Sequence, residues 1–161
     1  MRIVVISDTH IPFSAQRLPQ VVIEELKNCD LCLHAGDFIQ YKVIEDISRI
    51  TEIKGVRGNM DSKRIQKTLP ESRIIEAEDV KIGLTHGSGS PFDILSRVEN
   101  IFEDDVDICV FGHTHTAYDK VHKGKILFNP GSPTDKFFAK SNSYGILDIK
   151  GKKISRKIIT I

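Results

Sequence analysis

The chain has no tryptophan, two methionines, six prolines and three cysteines in 161 residues, and its formal net charge is only +1. Each shortage closes a class of function. Three thiols are too few, and odd in number, for a disulfide framework; they suit a reducing compartment and predict a cytoplasmic protein. Cys29 and Cys32 form a C-x-x-C, but no thioredoxin-type strand and loop surround them and no second pair completes a zinc cage. Cys32 and Cys109 lie inside apolar runs and read as small core residues. With 23 basic against 22 acidic residues, no polyanion-binding surface and no strong nucleic-acid signal show in the balance. The basic run 150–157 reads as a solvated strand edge, where lysines discourage edge-to-edge pairing. Apolar runs stop at four or five residues, far short of a membrane span, and Met1 opens onto a strand pattern instead of a signal peptide.

What is present is the mix of a globular protein, 40% hydrophobic and 28% charged. No linker, repeat or low-complexity stretch divides residues 1–161, which are expected to form one domain. Residues 2–7 are a β-branched run cut off by polar residues, the pattern of a buried strand. From Pro19, Val21, Val22 and Leu26 fall on one helical face. Leu31 to Ala35 is a second strand, Val43, Ile44, Ile47 and Ile50 repeat at helical spacing, and Ile53 to Val56 is a third strand. This β-α-β-α-β alternation predicts a mostly parallel first sheet with covering helices. Val80 to Thr85 reads as a strand. Ser90-Pro91 caps a helix burying Ile94, Leu95, Val98, Ile101 and Phe102, and Ile108 to Phe111 is another strand. Short strands come next, joined by turns at Lys123-Gly124 and Lys150-Gly151, so a second sheet with an antiparallel part is expected.

The chemistry lies in the turns at the strand ends. The five strands run into Asp8-Thr9-His10, Gly36-Asp37, Gly58-Asn59-Met60-Asp61, His86-Gly87 and Gly112-His113-Thr114-His115. Ligand sites of open α/β sheets lie at the carboxyl ends of the strands, so these turns should converge. They would bring together Asp8, His10, Asp37, Asn59, His86, His113 and His115, all oxygen or nitrogen donors with no thiolate. Seven such groups exceed what one structural zinc takes and suit two divalent ions sharing a carboxylate. Taken singly, a histidine is usually packed or exposed and a Gly-Asp is usually a turn. That ordinary explanation would have to hold five separate times here.

As a set, Asp8-x-His10, Gly36-Asp37, Gly58-Asn59-x-Asp61, His86-Gly87 and Gly112-His113-x-His115 resemble the five-block signature of the calcineurin-like metallophosphoesterase superfamily, in order and over nearly the whole chain. The length and Asn129-Pro130-Gly131-Ser132 resemble its small single-domain bacterial and archaeal phosphodiesterase branch. The resemblance implies an α/β four-layer sandwich, two mixed sheets flanked by helices. It implies that Asp8, His10 and His115 hold one metal, that Asn59, His86 and His113 hold a second, and that Asp37 bridges both. Asp37, Asn59 and His113 are the candidate catalytic groups. The implied reaction is hydrolysis of a phosphoester, most readily a small phosphodiester, by in-line attack of a metal-bound hydroxide. Mn²⁺ suits the donor set, with Ni²⁺, Fe, Co²⁺, Zn²⁺ and Mg²⁺ as alternatives. A homodimer or homotetramer is also implied.

One position departs from the pattern. Many family members carry a proton-donating histidine after the asparagine, and here that residue is Met60. General-acid catalysis is worth roughly 10²–10⁴-fold, so esters with poor leaving groups should suffer most. His34, the nearest spare histidine, reads as packed. Asp61 reads either as a group orienting a ligand imidazole or as a turn residue. Asn129 and Ser132 either face the site or close a turn, and Arg57 reaches either a phosphate oxygen or an exposed carboxylate. The alternative function is a non-catalytic scaffold of the same fold that binds other proteins; the seven filled ligand positions favour the enzyme.

Overall fold

Short β-branched runs ended by polar turns become strands, and the helices between them close the parallel connections. In the computed structural model, which describes residues 1–102 and 106–161, the order is β1 (Arg2–Ile6), α1 (Gln20–Leu26), β2 (Leu31–His34), α2 (Lys42–Ser48), β3 (Ile53–Gly55), α3 (Lys63–Thr68), β4 (Ser72–Ala77), β5 (Val80–Thr85), α4 (Ile94–Phe102), β6 (Ile108–Val110), β7 (Tyr118–His122), β8 (Lys125–Asn129), β9 (Ser143–Lys150) and β10 (Lys153–Thr160). The strands form two five-stranded sheets, ordered β10-β9-β1-β2-β3 and β4-β5-β6-β8-β7. In the first, β1, β2 and β3 pair in parallel, which requires the crossovers that α1 and α2 supply. In the second, β5, β6 and β8 are parallel, and β4 and β7 add antiparallel edges.

The alternation of side chains along each strand builds the layers. Ile3, Val5, Leu31 and Leu33 face Ile82, Leu84, Ile108 and Val110 of the opposite sheet in the central core. Their neighbours Val4, Ile6 and Cys32 turn the other way and pack against Val22 and Leu26 of α1, Val43 and Ile47 of α2 and Ile65 of α3. On the far side, Cys109, Phe111 and Leu127 receive Ile94, Val98 and Phe102 of α4. A strand buried on both faces is what makes β1 read as an unbroken apolar run. Each large side chain fully removed from water contributes roughly 1.5–3 kcal/mol. The result is helices, sheet, sheet and helix, the mixed two-sheet sandwich that the sequence predicts.

Several local expectations are corrected. The first sheet is less parallel than its β-α-β-α-β sequence suggests, because the C-terminal hairpin β9–β10 joins it through β9 against β1. The basic run agrees with its reading as a solvated edge: it starts at the end of β9, crosses the turn and continues on β10, the edge strand of that sheet. Pro19 stands just before α1 as its N-cap residue, and Val21 points outward at 43% exposed while Val22 and Leu26 are buried. Ile50 lies beyond the end of α2, and Ile101 is on the exposed side of α4. The sequence gives no warning of α3 or β4. Among the described residues, no helix is long and apolar enough to cross a membrane.

Gly145 in β9 is where the two sheets approach most demandingly: a Cβ there would lie 2.4 Å from Cε1 of the buried Phe128 ring. Gly145→Ala is therefore expected to destabilise the fold by about 1–3 kcal/mol, as overpacking does. Urea unfolding should show a lower midpoint at an unchanged slope. An unaltered midpoint would mean that the ring moves aside freely.

Candidate metal centre

The carboxyl ends of β1, β2, β3, β5 and β6 all open on one side of the molecule, and their turns are stitched together through the backbone. Asp8 N–H donates to Gly36 O at 3.0 Å, His10 N–H to Asp37 O at 3.0 Å, and Gly112 N–H to His86 O at 3.2 Å. Five of the seven residues singled out in the sequence leave these strands in left-handed backbone conformations: Asp8 (φ 52°), His10 (φ 43°), Asp37 (φ 59°), His113 (φ 70°) and His115 (φ 56°). Few residue types accept that conformation, and Asp, Asn and His are enriched among them.

Side-chain geometry is set by those turns. One ligand atom each from Asp8, His10 and His115 lies within 4.8 Å of the others, and the same holds for Asp8, Asp37 and His86. Asp37 Oδ2 stands 3.4 Å from His10 Nε2 and 3.4 Å from His86 Nε2, between the two groups. His115 Nε2 is 3.5 Å from Asp8 Oδ1. Asn59 Oδ1 accepts from His86 Nε2 at 3.2 Å. His113 is the outlying member. Its backbone N–H donates to both oxygens of the Asp8 carboxylate at 3.0 and 3.1 Å, and its ring lies 5.1 Å from that of His86. Its Nε2 donates to Gly89 O at 2.8 Å, so Nδ1 is the ring nitrogen left for a ligand.

Asp8, Asp37 and His86 are buried, His10, His113 and His115 are half-buried, and Asn59 is exposed; the buried part is internally polarised. Burial pushes the Asp8 carboxyl above its ordinary range. Burial also opposes the charge on Asp37, but the imidazoles of His10 and His86 outweigh it and hold that carboxyl well below its ordinary range. His86 shows the reverse balance: desolvation lowers its pKa, yet the Asp37 and Asp8 carboxylates raise it to about 9. His10 is raised against the same burial penalty by Asp37 and Asp8.

The surrounding residues brace the turns. Asp61 takes neither of its predicted roles in pure form: its carboxylate accepts N–H from Asp37 (3.1 Å), Ile39 (2.8 Å) and Gly58 (2.7 Å), fixing backbone and touching no imidazole. Asn129 donates to Gly112 O at 2.9 Å, and Ser132 Oγ donates to Asp8 O at 2.7 Å, so both hold the metal turns from behind. Arg57 is committed to Gln66 O and Glu71 and does not reach the centre. His34 is fully buried, stacked on Phe38, and burial pushes its pKa well down, as a packed neutral ring requires. Cys29 and Cys32 are both unbridged. The imidazole-orienting groups that the sequence did not disclose are Asp135, which accepts from His115 Nδ1, and the carbonyl of Ala35, which accepts from His86 Nδ1 at 2.7 Å. Asp135 also lies past a strand end, in the turn after β8, and that position is the one signal that could have found it.

Divalent cations fit this arrangement. His10 Nε2 is buried and has no hydrogen-bond partner, although it faces two carboxylates, at 3.4 and 4.0 Å. A buried polar atom normally finds a partner, so an orphan aimed at carboxylates fits the place of a cation ligand. The turns also leave no space beside the donors: a Cβ on Gly58 would lie 2.1 Å from Asp37 Oδ1 and one on Gly112 would lie 2.9 Å from Asp8 Oδ2.

Known proteins share this architecture. Residues 1–152 match the calcineurin-like phosphoesterase superfamily domain. The chain is 34% identical over 160 residues to a protein of Methanothermobacter thermautotrophicus named "Probable metallophosphoesterase", covering 99% of this chain and 92% of that one. It is 26% identical over 171 residues to a phosphodiesterase of Methanocaldococcus jannaschii, covering 99% of both. In three dimensions it is similar to wild-type Vps29 from Entamoeba histolytica complexed with Zn²⁺, with a TM-score of 0.78, 26% identity and coverage of 100% of this chain and 98% of that one. The converging strand-end turns and the match along the sequence agree: this chain belongs to the calcineurin-like phosphoesterase superfamily.

Proposed function

We propose that residues 1–161 act as one domain and hydrolyse phosphodiesters with the help of two divalent cations, Mn²⁺ by preference. The observation that carries this reading is the unpartnered, buried His10 Nε2 facing Asp8 and Asp37 at the meeting point of the strand-end turns. Asp8, His10 and His115 would hold one ion, Asn59, His86 and His113 the other, and Asp37, placed between His10 and His86, would serve both. Hard carboxylate and amide oxygens with imidazole nitrogens suit Mn²⁺, and the thiols stand elsewhere in the chain. The relative named a phosphodiesterase supports the diester preference.

When bound, the ions activate a water and offset negative charge on the phosphoryl oxygens. The protein's own groups do the rest. Asp135 fixes the tautomer of His115 by accepting from Nδ1, and Ala35 O does the same for His86, so each ring presents Nε2 to the centre. Asp61 locks the backbone of the Asp37 and Gly58 turns, and the Met60 N–H donates to Asp37 Oδ1 at 2.7 Å. Met60 stands beside Asn59, 52% exposed, with a side chain that has no proton to give. The leaving oxygen would then take its proton from solvent or from another residue, or depart unprotonated.

Protein stripped by a chelator should be inactive on bis(p-nitrophenyl) phosphate, recover with added Mn²⁺, and stay inactive in Asp37→Ala; no turnover with any divalent metal would move the weight to a protein-binding scaffold of this fold. Asp135→Asn should keep the fold but weaken Mn²⁺ binding by roughly 10–100-fold, measured as the metal concentration needed for half-maximal activity. Finally, aryl diesters should be cleaved far faster than alkyl diesters. Met60→His should raise the alkyl rate selectively, toward the roughly 10²–10⁴-fold that a general acid supplies. Similar native rates on the two ester classes would refute the missing-donor argument.

A further inference from the structure

The phenylalanines divide into two populations. Phe38, Phe102, Phe111 and Phe128 are buried, whereas Phe13 (72%), Phe92 (99%), Phe137 (80%) and Phe138 (76%) stand exposed. Exposed aliphatic side chains such as Val21, Ile74 and Ile101 are scattered over helices and an outer strand. The exposed phenylalanines instead sit on loops tied to the candidate metal ligands. Phe13 lies in a turn closed by Ser14 N–H on His10 O at 2.9 Å. Phe137 and Phe138 donate their N–H groups to Asp135, the partner of His115, and the Phe138 ring lies edge-on to His115 at 5.5 Å. Phe92 belongs to the loop whose Gly89 carbonyl accepts from His113. Each ring is thus carried by a loop anchored to a candidate metal-binding group. Exposed apolar groups placed beside a functional site point to binding, while singly scattered ones do not.

Phe92 also lines a cavity of about 610 Å³ beside the start of α4, together with Leu95, Phe111, Thr114, Tyr118 and His122. Thr114 lies between His113 and His115 in the chain, one Cα step of about 3.8 Å from each, so the cavity borders the turn that carries both histidines. Its aromatic walls are Phe92, Phe111 and Tyr118, the last two with ring centroids 6.2 Å apart. Thr114, Thr116 and His122 add polar groups at its border, and Asp93, Glu99 and Lys123 add charged ones. Its size and aromatic walls suit one small organic group held within a polar rim. A second cavity, of about 390 Å³ near α1 and α2, also touches the site through Ile11 but has no aromatic side chain in its lining.

We propose that the Phe92–Tyr118 cavity is the specificity subsite of the metal centre and holds a planar aromatic substituent of the phosphodiester, an aryl group or a nucleobase. The proposal rests on the phosphodiesterase reading. A methyl or other short alkyl substituent leaves the cavity empty, whereas a flat ring fills it and gains stacking on Phe92 and Tyr118.

The test uses three esters with one leaving group: thymidine 5′-, phenyl and methyl p-nitrophenyl phosphate. The aromatic-bearing esters should exceed the methyl ester in kcat/KM by roughly tenfold, the scale of one ring stacked on an aromatic side chain. Phe92→Ala and Tyr118→Leu should bring that ratio toward one, and Ile74→Ala, on an outer strand, should leave it as it is. Preference for the phenyl ester alone assigns an aryl group, and preference for the thymidine ester assigns a nucleobase. Equal kcat/KM for all three, or a ratio preserved in both cavity variants, overturns the subsite while the phosphodiesterase reading stands. If no ester is hydrolysed, that reading fails, and the subsite is decided by NMR. Amide shifts confined to Phe92, Thr114 and Tyr118 on adding thymidine 5′-monophosphate, and not methyl phosphate, sustain it; their absence overturns it. Loss of self-association in Phe92→Ala with no change in ratio makes the face a contact between copies and also overturns it.

Discussion

A strand that must deliver a carboxylate and an imidazole to the same point has to turn as soon as it leaves its sheet. The chain does this by putting non-glycine residues into left-handed conformations at Asp8, His10, Asp37, His113 and His115. Such conformations cost on the order of 1–3 kcal/mol each, less for Asp and His than for branched residues, and persist only where the surroundings over-determine them. Here they are over-determined twice. The turns bond to one another through the backbone, and buried polar side chains clamp them from outside: Asp61 takes three N–H donors, and Ser132 bonds to the carbonyl of Asp8 while accepting N–H from Asp135. The parallel strands beneath are rigid because both their faces are buried. Site geometry therefore depends on the core, and the core's strand ends are spent on the site.

The electrostatics impose a second constraint. Carboxylates and imidazoles packed this closely cannot all be charged, nor all be neutral, without cost. The carboxylates raise the pKa of His10 and His86, and those two imidazoles lower that of Asp37. A ligating imidazole offers a lone pair, so a metal ion would compete with protons at these rings. His10 Nε2 sits among the carboxylates and completes no hydrogen bond. A cation that accepts several donors at once fits such a cluster.

How much of this was legible beforehand depends on the kind of signal. Strands β1, β2, β5 and β6 and their turns could be read because an apolar run broken by Gly, Asp or His is a local pattern. Two mixed sheets could be inferred from the alternation of strands and helices. The short α3 buries only Ile65, and β4 exposes Ile74 while burying Ile75 and Ala77, so neither shows a clear period. The placement of β9 beside β1 joins residues some 140 positions apart and leaves no local trace. Asp135 escaped for a related reason: it meets His115 only because the loop after β8 folds back over the site. A backbone partner such as Ala35 O cannot be read from residue identity, since every residue carries a carbonyl.

Position and recognition share the same loops. The peptide just after His10 presents Phe13, the loop that receives His113 presents Phe92, and the turn that holds Asp135 presents Phe137 and Phe138. A loop tethered at a buried ligand loses conformational freedom once, and the exposed ring it carries is then fixed at little further entropic cost. Conversely, whatever orders the rings also restrains the ligand turns, because Phe138 N–H and His115 Nδ1 bond to one and the same carboxylate. The coupling runs through named hydrogen bonds, so it is a physical network and not mere proximity. Within residues 1–161 the exposed rings stand on the same segments that hold the candidate metal centre together.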